Sequence, residues 1–100
     1  MIIIAGTIDF DSSKRSTLDD AFETMRAESL KEAGCHEYQC YVSRTAPGTA
    51  FFFEKWEDEE ALAGHMQSPH MAEFGKAFGV IGVKGVDIKK YTGATEGPLH

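Results

Sequence analysis

Two histidines and a short run of aromatic and acidic residues carry the chemistry available to this sequence. His65 and His70 lie in "ALAGHMQSPHMAEF", five residues apart with Pro69 between them. Imidazole ionises near neutral pH, so either ring could accept a proton from a bound acid. His70 falls beside the helical stripe of Phe74, Ala77, Phe78 and Ile81, and could point into a pocket. His65 borders the Leu62 and Met66 stripe. Each also has a plain structural reading, as a hydrogen-bonded core residue or as a cap on a broken helix. Upstream, "FFFEKW" puts Phe52, Glu54 and Trp56 on one strand face and Phe51, Phe53 and Lys55 on the other. Trp56 could stack on a planar ligand, with Phe74 and Phe78 as apolar walls and Tyr38 offering a phenolic hydrogen bond. Glu54 on that face would be either a base of raised pKa or one half of an ion pair.

Other chemistries find less support. His65 and His70 do not share a helical face, and no further ligands group with them in sequence, so no metal site is expected. Gly79, Gly82 and Gly85 lack the strand-to-helix setting of a phosphate loop. No Ser/His/Asp or Cys/His order with a local signature is present.

The elements that must position these residues can be read from periodicity. Met1 to Phe10 is an Ile-rich strand, followed by the polar loop "DSSKRS". Leu18, Ala21, Phe22, Met25 and Ala33 then form a helical stripe, with Ser16 or Thr17 as the expected N-cap and Gly34 as the expected C-cap. His36 to Ser43 and Thr49 to Trp56 make an antiparallel hairpin about the "TAPGT" turn. Asp58 caps a short helix and Ser68-Pro69 starts a second, offset one. Val83 to Tyr91 is the last strand. The order β-α-β-β-α-β, with the second helix broken, predicts an α+β fold of ferredoxin-like type spanning residues 1–92, with 93–100 as a flexible C-terminal tail.

In that arrangement the helices cover one face of an antiparallel sheet. Both faces are apolar here, in Ile2 and Ile4 against Ile3 and Ala5 and in Phe52 against Phe51 and Phe53, so a homodimer joined through the sheet faces is expected, with either row free to form the seam. Composition bounds the rest. The 100 residues are 42% hydrophobic with a net charge of -6, which suits one globular domain and argues against a nucleic-acid or anionic-membrane surface. The start "MIIIAGTIDF" lacks the basic flank of a signal peptide, and no window reaches the roughly 18 apolar residues of a membrane span, so a cytoplasmic protein is expected. Cys35 and Cys40, five apart along a strand, should lie on opposite faces about 16 Å apart, too far for a disulfide.

The wording of two segments then narrows the reading. "EAGCHEY" and "FEKWEDEEALAGHMQSPHMAEF" resemble the antibiotic biosynthesis monooxygenase domain, a family of dimeric α/β barrels. Gly34, Cys35, Tyr38, Glu54, Trp56, Ala61, Leu62, His65, Pro69, His70 and Phe74 match its pattern. The resemblance implies a pocket between sheet and helices. It also implies one of several activities: oxidation of quinols or polycyclic aromatics without metal or flavin, haem degradation, or isomerisation of a phosphorylated signalling molecule. Phe52 stands where some aromatic-oxidising members have Asn, and the first strand lacks the Asn of haem-degrading members. The first departure separates the chain from those aromatic-oxidising members and the second argues most against haem degradation; the function the resemblance implies is a cofactor-independent monooxygenase of a small quinol or phenolic aromatic. His65 or His70 would be the proton acceptor, and Tyr38, Trp56, Phe74 and Phe78 would contact the substrate. The alternatives are the isomerase, for which Lys76 or Arg26 would have to bind phosphate, and a non-catalytic dimer that binds a small apolar or aromatic ligand.

Overall fold

The computed structural model describes all 100 residues. Four strands, β1 (Ile2–Asp9), β2 (Cys35–Val42), β3 (Thr49–Trp56) and β4 (Gly85–Tyr91), alternate with three α-helices, α1 (Arg15–Ser29), α2 (Glu59–Met66) and α3 (Pro69–Ile81). The sheet order is β2-β3-β1-β4 and every pairing is antiparallel. This is the expected ferredoxin-like α+β fold. No helix is long and apolar enough to cross a membrane.

Register assigns the two faces. Ile2, Ile4, Gly6 and Ile8 of β1 stand opposite Trp56, Glu54, Phe52 and Ala50 of β3, and this row is turned toward the helices. Ile2, Ile8, Ala50, Phe52 and Trp56 join Leu18, Phe22 and Met25 of α1 and Phe74 and Ile81 of α3 in one core. The interleaved row of Ile3, Ala5, Phe51, Phe53 and Lys55 lies on the uncovered face, where Phe51 is 40% exposed. Tyr41 and Tyr91, on the two edge strands, are exposed on that same face.

Local chemistry explains the boundaries, including those that differ from expectation. Asp11, not Ser16 or Thr17, starts the first helical segment: its side chain accepts from the Ser13 amide, and a 3-10 turn over Ser12–Lys14 leads into α1. The first helix then ends at Ser29, five residues before Gly34, because Lys31 and Glu32 bond back only three residues and tighten the chain into a turn. Ala33 therefore lies outside the helical stripe. Gly34 is instead the point of close approach to α2, with φ +85° and room for no Cβ, which would stand 2.6 Å from that of Ala61. Asp58 and Ser68 cap α2 and α3 as expected, accepting from the amides of Ala61 and Met71. The last strand begins at Gly85 rather than Val83.

A β-bulge between Cys35 and Glu37 corrects the reading of the cysteines. The extra residue puts Cys35 opposite Trp56, on the same face as Tyr38 and Cys40, so both cysteines pack against the core rather than on opposite faces. Both are free, and burial pushes their thiols up to about 11 and about 12.

The β1–β4 pairing depends on Gly6. A Cβ there would stand 2.1 Å from the Asp87 carbonyl oxygen and 2.4 Å from the Ile88 Cα. Gly6→Ala is expected to force the strands apart and to destabilise the fold by about 2 kcal/mol or more. Urea unfolding measures this; an unchanged midpoint would disprove the close approach.

Candidate active site

Glu32 lies in the turn between α1 and β2, and two contacts hold that turn in place. The Glu57 amide donates to the Gly34 carbonyl at 2.8 Å, and Gly34 packs directly on Ala61 of α2. The Glu32 carboxylate is thereby carried to the junction of α2 and α3. There its Oε2 accepts from His65 Nδ1 at 2.7 Å and from His70 Nε2 at 2.8 Å. The expectation that the two histidines stay apart is corrected. They occupy separate helices, and the interruption of the helix at Gln67-Ser68 turns the start of α3 so that the ring centroids are 5.8 Å apart. Ser68 fixes this corner twice, since its hydroxyl donates to the His65 carbonyl and accepts from the Met71 amide.

The bond to Glu32 defines the state of His65. A carboxylate oxygen only accepts, so Nδ1 carries the ring proton and Nε2 keeps a free lone pair. The residue is only 1% exposed, and burial lowers its pKa below 6.5 against the opposing pull of Glu32, which favours the neutral ring. His65 also lines a cavity of about 360 Å³ between α2, α3 and the sheet. Ile4, Leu62, Met66, Met71 and Ile88 supply its apolar wall, and the titratable groups Glu54, Lys89 and Lys90 line it beside His65. That volume lies at the small end of ligand pockets, which run from about 300 to 1,000 Å³.

Of the two roles expected of Glu54, its surroundings in this chain favour the carboxyl of raised pKa. No lysine or arginine of the chain pairs with it; its Oε1 accepts from the Trp56 indole N–H at 2.9 Å. Burial raises its pKa to about 7, the Trp56 bond opposes the rise and the charge of Glu32 adds to it. One cavity therefore holds an imidazole whose pKa is lowered and a carboxyl whose pKa is raised to about 7, both pushed toward their uncharged forms by burial.

The aromatic residues lie behind the cavity rather than on it. Trp56 is fully buried with its ring 4.5 Å from that of His65, and Tyr38 is 5.5 Å from His65 while stacking on Phe22 at 5.6 Å. Burial raises the Tyr38 phenol far above its ordinary value, so it stays protonated. Phe74 packs edge-on against Phe22 and Phe52, and Phe78 packs on Phe74. His70 lines a separate cleft between α1 and α3, together with Phe74. The cations considered for phosphate are elsewhere: Lys76 pairs with Glu73 on the exposed side of α3, and Arg26 donates to the Tyr38 carbonyl. The residue that sequence reasoning did not single out is Glu32.

Glu54 makes a prediction about stability. Its folded pKa lies above that of a free carboxyl, so the folded state holds more protons than the unfolded state between about pH 4.5 and 7. The stability it contributes is complete below that window and is lost as pH rises through about 7. Glu54→Gln keeps an acceptor for Trp56 and removes the buried charge. It should leave stability near wild type at pH 5 and raise it by about 3 kcal/mol at pH 8. Equal effects at both pH values in chemical unfolding would contradict the raised pKa.

Comparison with known proteins places this chain in a family. The Synechocystis protein sll1783, itself uncharacterized, is 31% identical over 90 residues, which cover 90% of this chain but 61% of that protein. The chain thus spans less than two thirds of that relative. The Escherichia coli K12 protein named "Probable quinol monooxygenase YgiN" is 32% identical over 71 residues, covering 63% of this chain and 68% of the other. A conserved protein from Methanosarcina mazei Go1 of known crystal structure superposes with a TM-score of 0.83 at 26% identity, over 90% of this chain and 89% of its own. The model of the family described as antibiotic biosynthesis monooxygenase matches residues 1–77. With the match running from β1 into α3 through Glu32, Glu54, His65 and His70, this chain belongs to the antibiotic biosynthesis monooxygenase family.

Proposed function

We propose that the protein is a cofactor-independent monooxygenase of a small quinol or phenolic aromatic. The observation that carries the proposal is the Glu32–His65 pair, which presents a neutral imidazole to an apolar cavity. A phenol in that cavity donates its proton to His65 Nε2, and Glu32 stabilises the imidazolium that forms. The apolar wall leaves the phenolate poorly solvated and therefore electron-rich. It reduces dioxygen, a ring carbon–oxygen bond forms, and the resulting hydroperoxide loses water as its O–O bond breaks. For a hydroquinone the sum is quinol plus dioxygen giving hydroxyquinone plus water, all four electrons coming from the substrate. Protonated Glu54 can supply the proton that the leaving hydroxide needs. His70 acts through Glu32 by holding its carboxylate in place. The similarity to YgiN, whose name carries the same reaction class, supports this reading.

The open sheet face suggests the assembly. Ile3, Ala5, Phe51 and Phe53 form an apolar centre there, with Tyr41 and Tyr91 at the edges. Two copies meeting face to face would bury this row and make a homodimer.

Two expectations follow. Oxygen uptake with a panel of reduced quinols should fall by about a hundredfold or more in His65→Ala, and by less in His70→Ala, with Glu32→Gln between them. The pH profile of kcat/KM should be bell-shaped. It rises as His65 becomes neutral, below pH 6.5, and falls above about 7 as Glu54 loses its proton. Uptake that survives intact in His65→Ala would refute the base. Independently, the wild type should sediment as a dimer and Phe51→Asp as a monomer; a monomeric wild type at micromolar concentration would remove the dimer.

A further inference from the structure

The Glu32, His65 and His70 cluster supports more than proton transfer. Its three potential ligand atoms lie within 4.8 Å of one another and come from three separate elements, a turn and two helices. We propose that these residues form a binding site for one divalent first-row transition-metal ion, with two imidazole nitrogens and one carboxylate oxygen as ligands. This donor set suits zinc and cobalt better than magnesium or calcium, which take oxygen ligands.

The ion would take the place of the two imidazole protons that now point at Glu32 Oε2. A tetrahedral ion with ligand bonds of about 2.0–2.1 Å sets its ligands about 3.4 Å apart. The present N···O separations are 2.7 and 2.8 Å, so these two must open by roughly half an ångström, while the two nitrogens, within 4.8 Å of each other, draw together. His70 and Glu32 have room for this, because their side chains are 15% and 19% exposed whereas His65 is fixed in the core. The route in is the cleft of about 280 Å³ between α1 and α3. His70 and Glu73 line it, Glu73 being paired with Lys76 on the exposed side, and no lysine or arginine lines it. That cleft also leaves an open coordination position for water.

Binding has a chemical consequence at His65. Metal on Nδ1 leaves the ring proton on Nε2, so the nitrogen that was a lone-pair acceptor becomes a donor. This consequence rests on the proposed oxidation, which zinc should then inhibit; the site itself does not rest on it.

The test uses the untagged full chain and the single tryptophan, Trp56, whose ring lies 4.5 Å from that of His65. Titration with cobalt(II) should quench its fluorescence to saturation at a single ion per chain, with the visible absorption of a nitrogen- and oxygen-ligated ion. Glu32→Gln and His70→Ala should each weaken binding by about tenfold or more. His70→Ala removes one ligand at the partly exposed edge of the cluster and leaves the buried His65 in place. His36→Ala, on the exposed His36–Glu57 pair, should change nothing. Absence of saturable quenching, binding unaffected by His70→Ala, or binding lost in His36→Ala would each overturn the site. Quinol oxidation unchanged under saturating zinc would overturn the consequence at His65. Absence of oxidation in metal-free protein would count against the oxygenase alone, since the fluorescence titration decides the metal site separately.

Discussion

One carboxylate oxygen, Glu32 Oε2, receives hydrogen bonds from two imidazoles on two different helices. The candidate site depends on that shared bond more than on any pocket wall. It ties the turn after α1 to α2 and α3, and it fixes which nitrogen of His65 carries the proton. A buried histidine with both nitrogens unassigned could act as donor or acceptor; here the acceptor state is imposed. The charge of Glu32 also reaches Glu54, where it adds to the effect of burial and helps keep that carboxyl protonated near neutrality. Neighbouring groups are thus driven apart in protonation, His65 toward neutral by loss of its proton and Glu54 toward neutral by keeping one. Such divergence is how a single cavity can hold both an acid and a base.

The backbone arranges this with few devices. Alternation along β3 sends Phe52, Glu54 and Trp56 inward and Phe51, Phe53 and Lys55 outward, so one strand supplies both the floor of the site and the centre of the open face. The bulge at the start of β2 adds Cys35 to the inward row and brings Tyr38 opposite Glu54. Gly34 lets the Glu32 turn sit against α2. Displacing that turn would separate the carboxylate from both rings at once, although none of these backbone positions touches a ligand.

Much of this was legible in the sequence because it is local. Strand alternation, the Asp58 and Ser68 caps, the Pro69 start and the split of the second helix are written in neighbouring residues, and they yield the fold and the division of β3 into two rows, while which row turns inward comes from packing. Errors of boundary came where two signals competed. Ser16 and Thr17 are good caps, but Asp11 precedes them and bonds Ser13 first. Gly34 is a good terminator, but the helix had already tightened by Lys31. The bulge that places Cys35 inward has no local signature. Glu32 was illegible for a different reason: its partners lie 33 and 38 positions along the chain, and only the packing of a turn against a helix corner brings them together. The same distance hid the meeting of His65 and His70, since Pro69 reads as separation along the chain while it turns the second helix back in space.

Aromatic side chains were expected to meet a substrate, and their positions suggest a different division of work. Trp56, Tyr38, Phe22, Phe52 and Phe74 interlock through ring contacts of 4.5–6.3 Å that include the His65 ring. Rings packed this closely have few alternative rotamers, so they hold the imidazole at a fixed angle. The cavity wall is instead aliphatic and sulfur-bearing, with Met66 57% exposed and Met71 partly buried. Methionine is unbranched and polarizable, and adapts to planar guests of different outline. A rigid aromatic layer behind the base and a compliant layer in front of it meet opposite needs, precise proton transfer and tolerance of shape. Selectivity in such a site comes less from the outline of the wall than from whether a ligand places an acidic hydroxyl against His65.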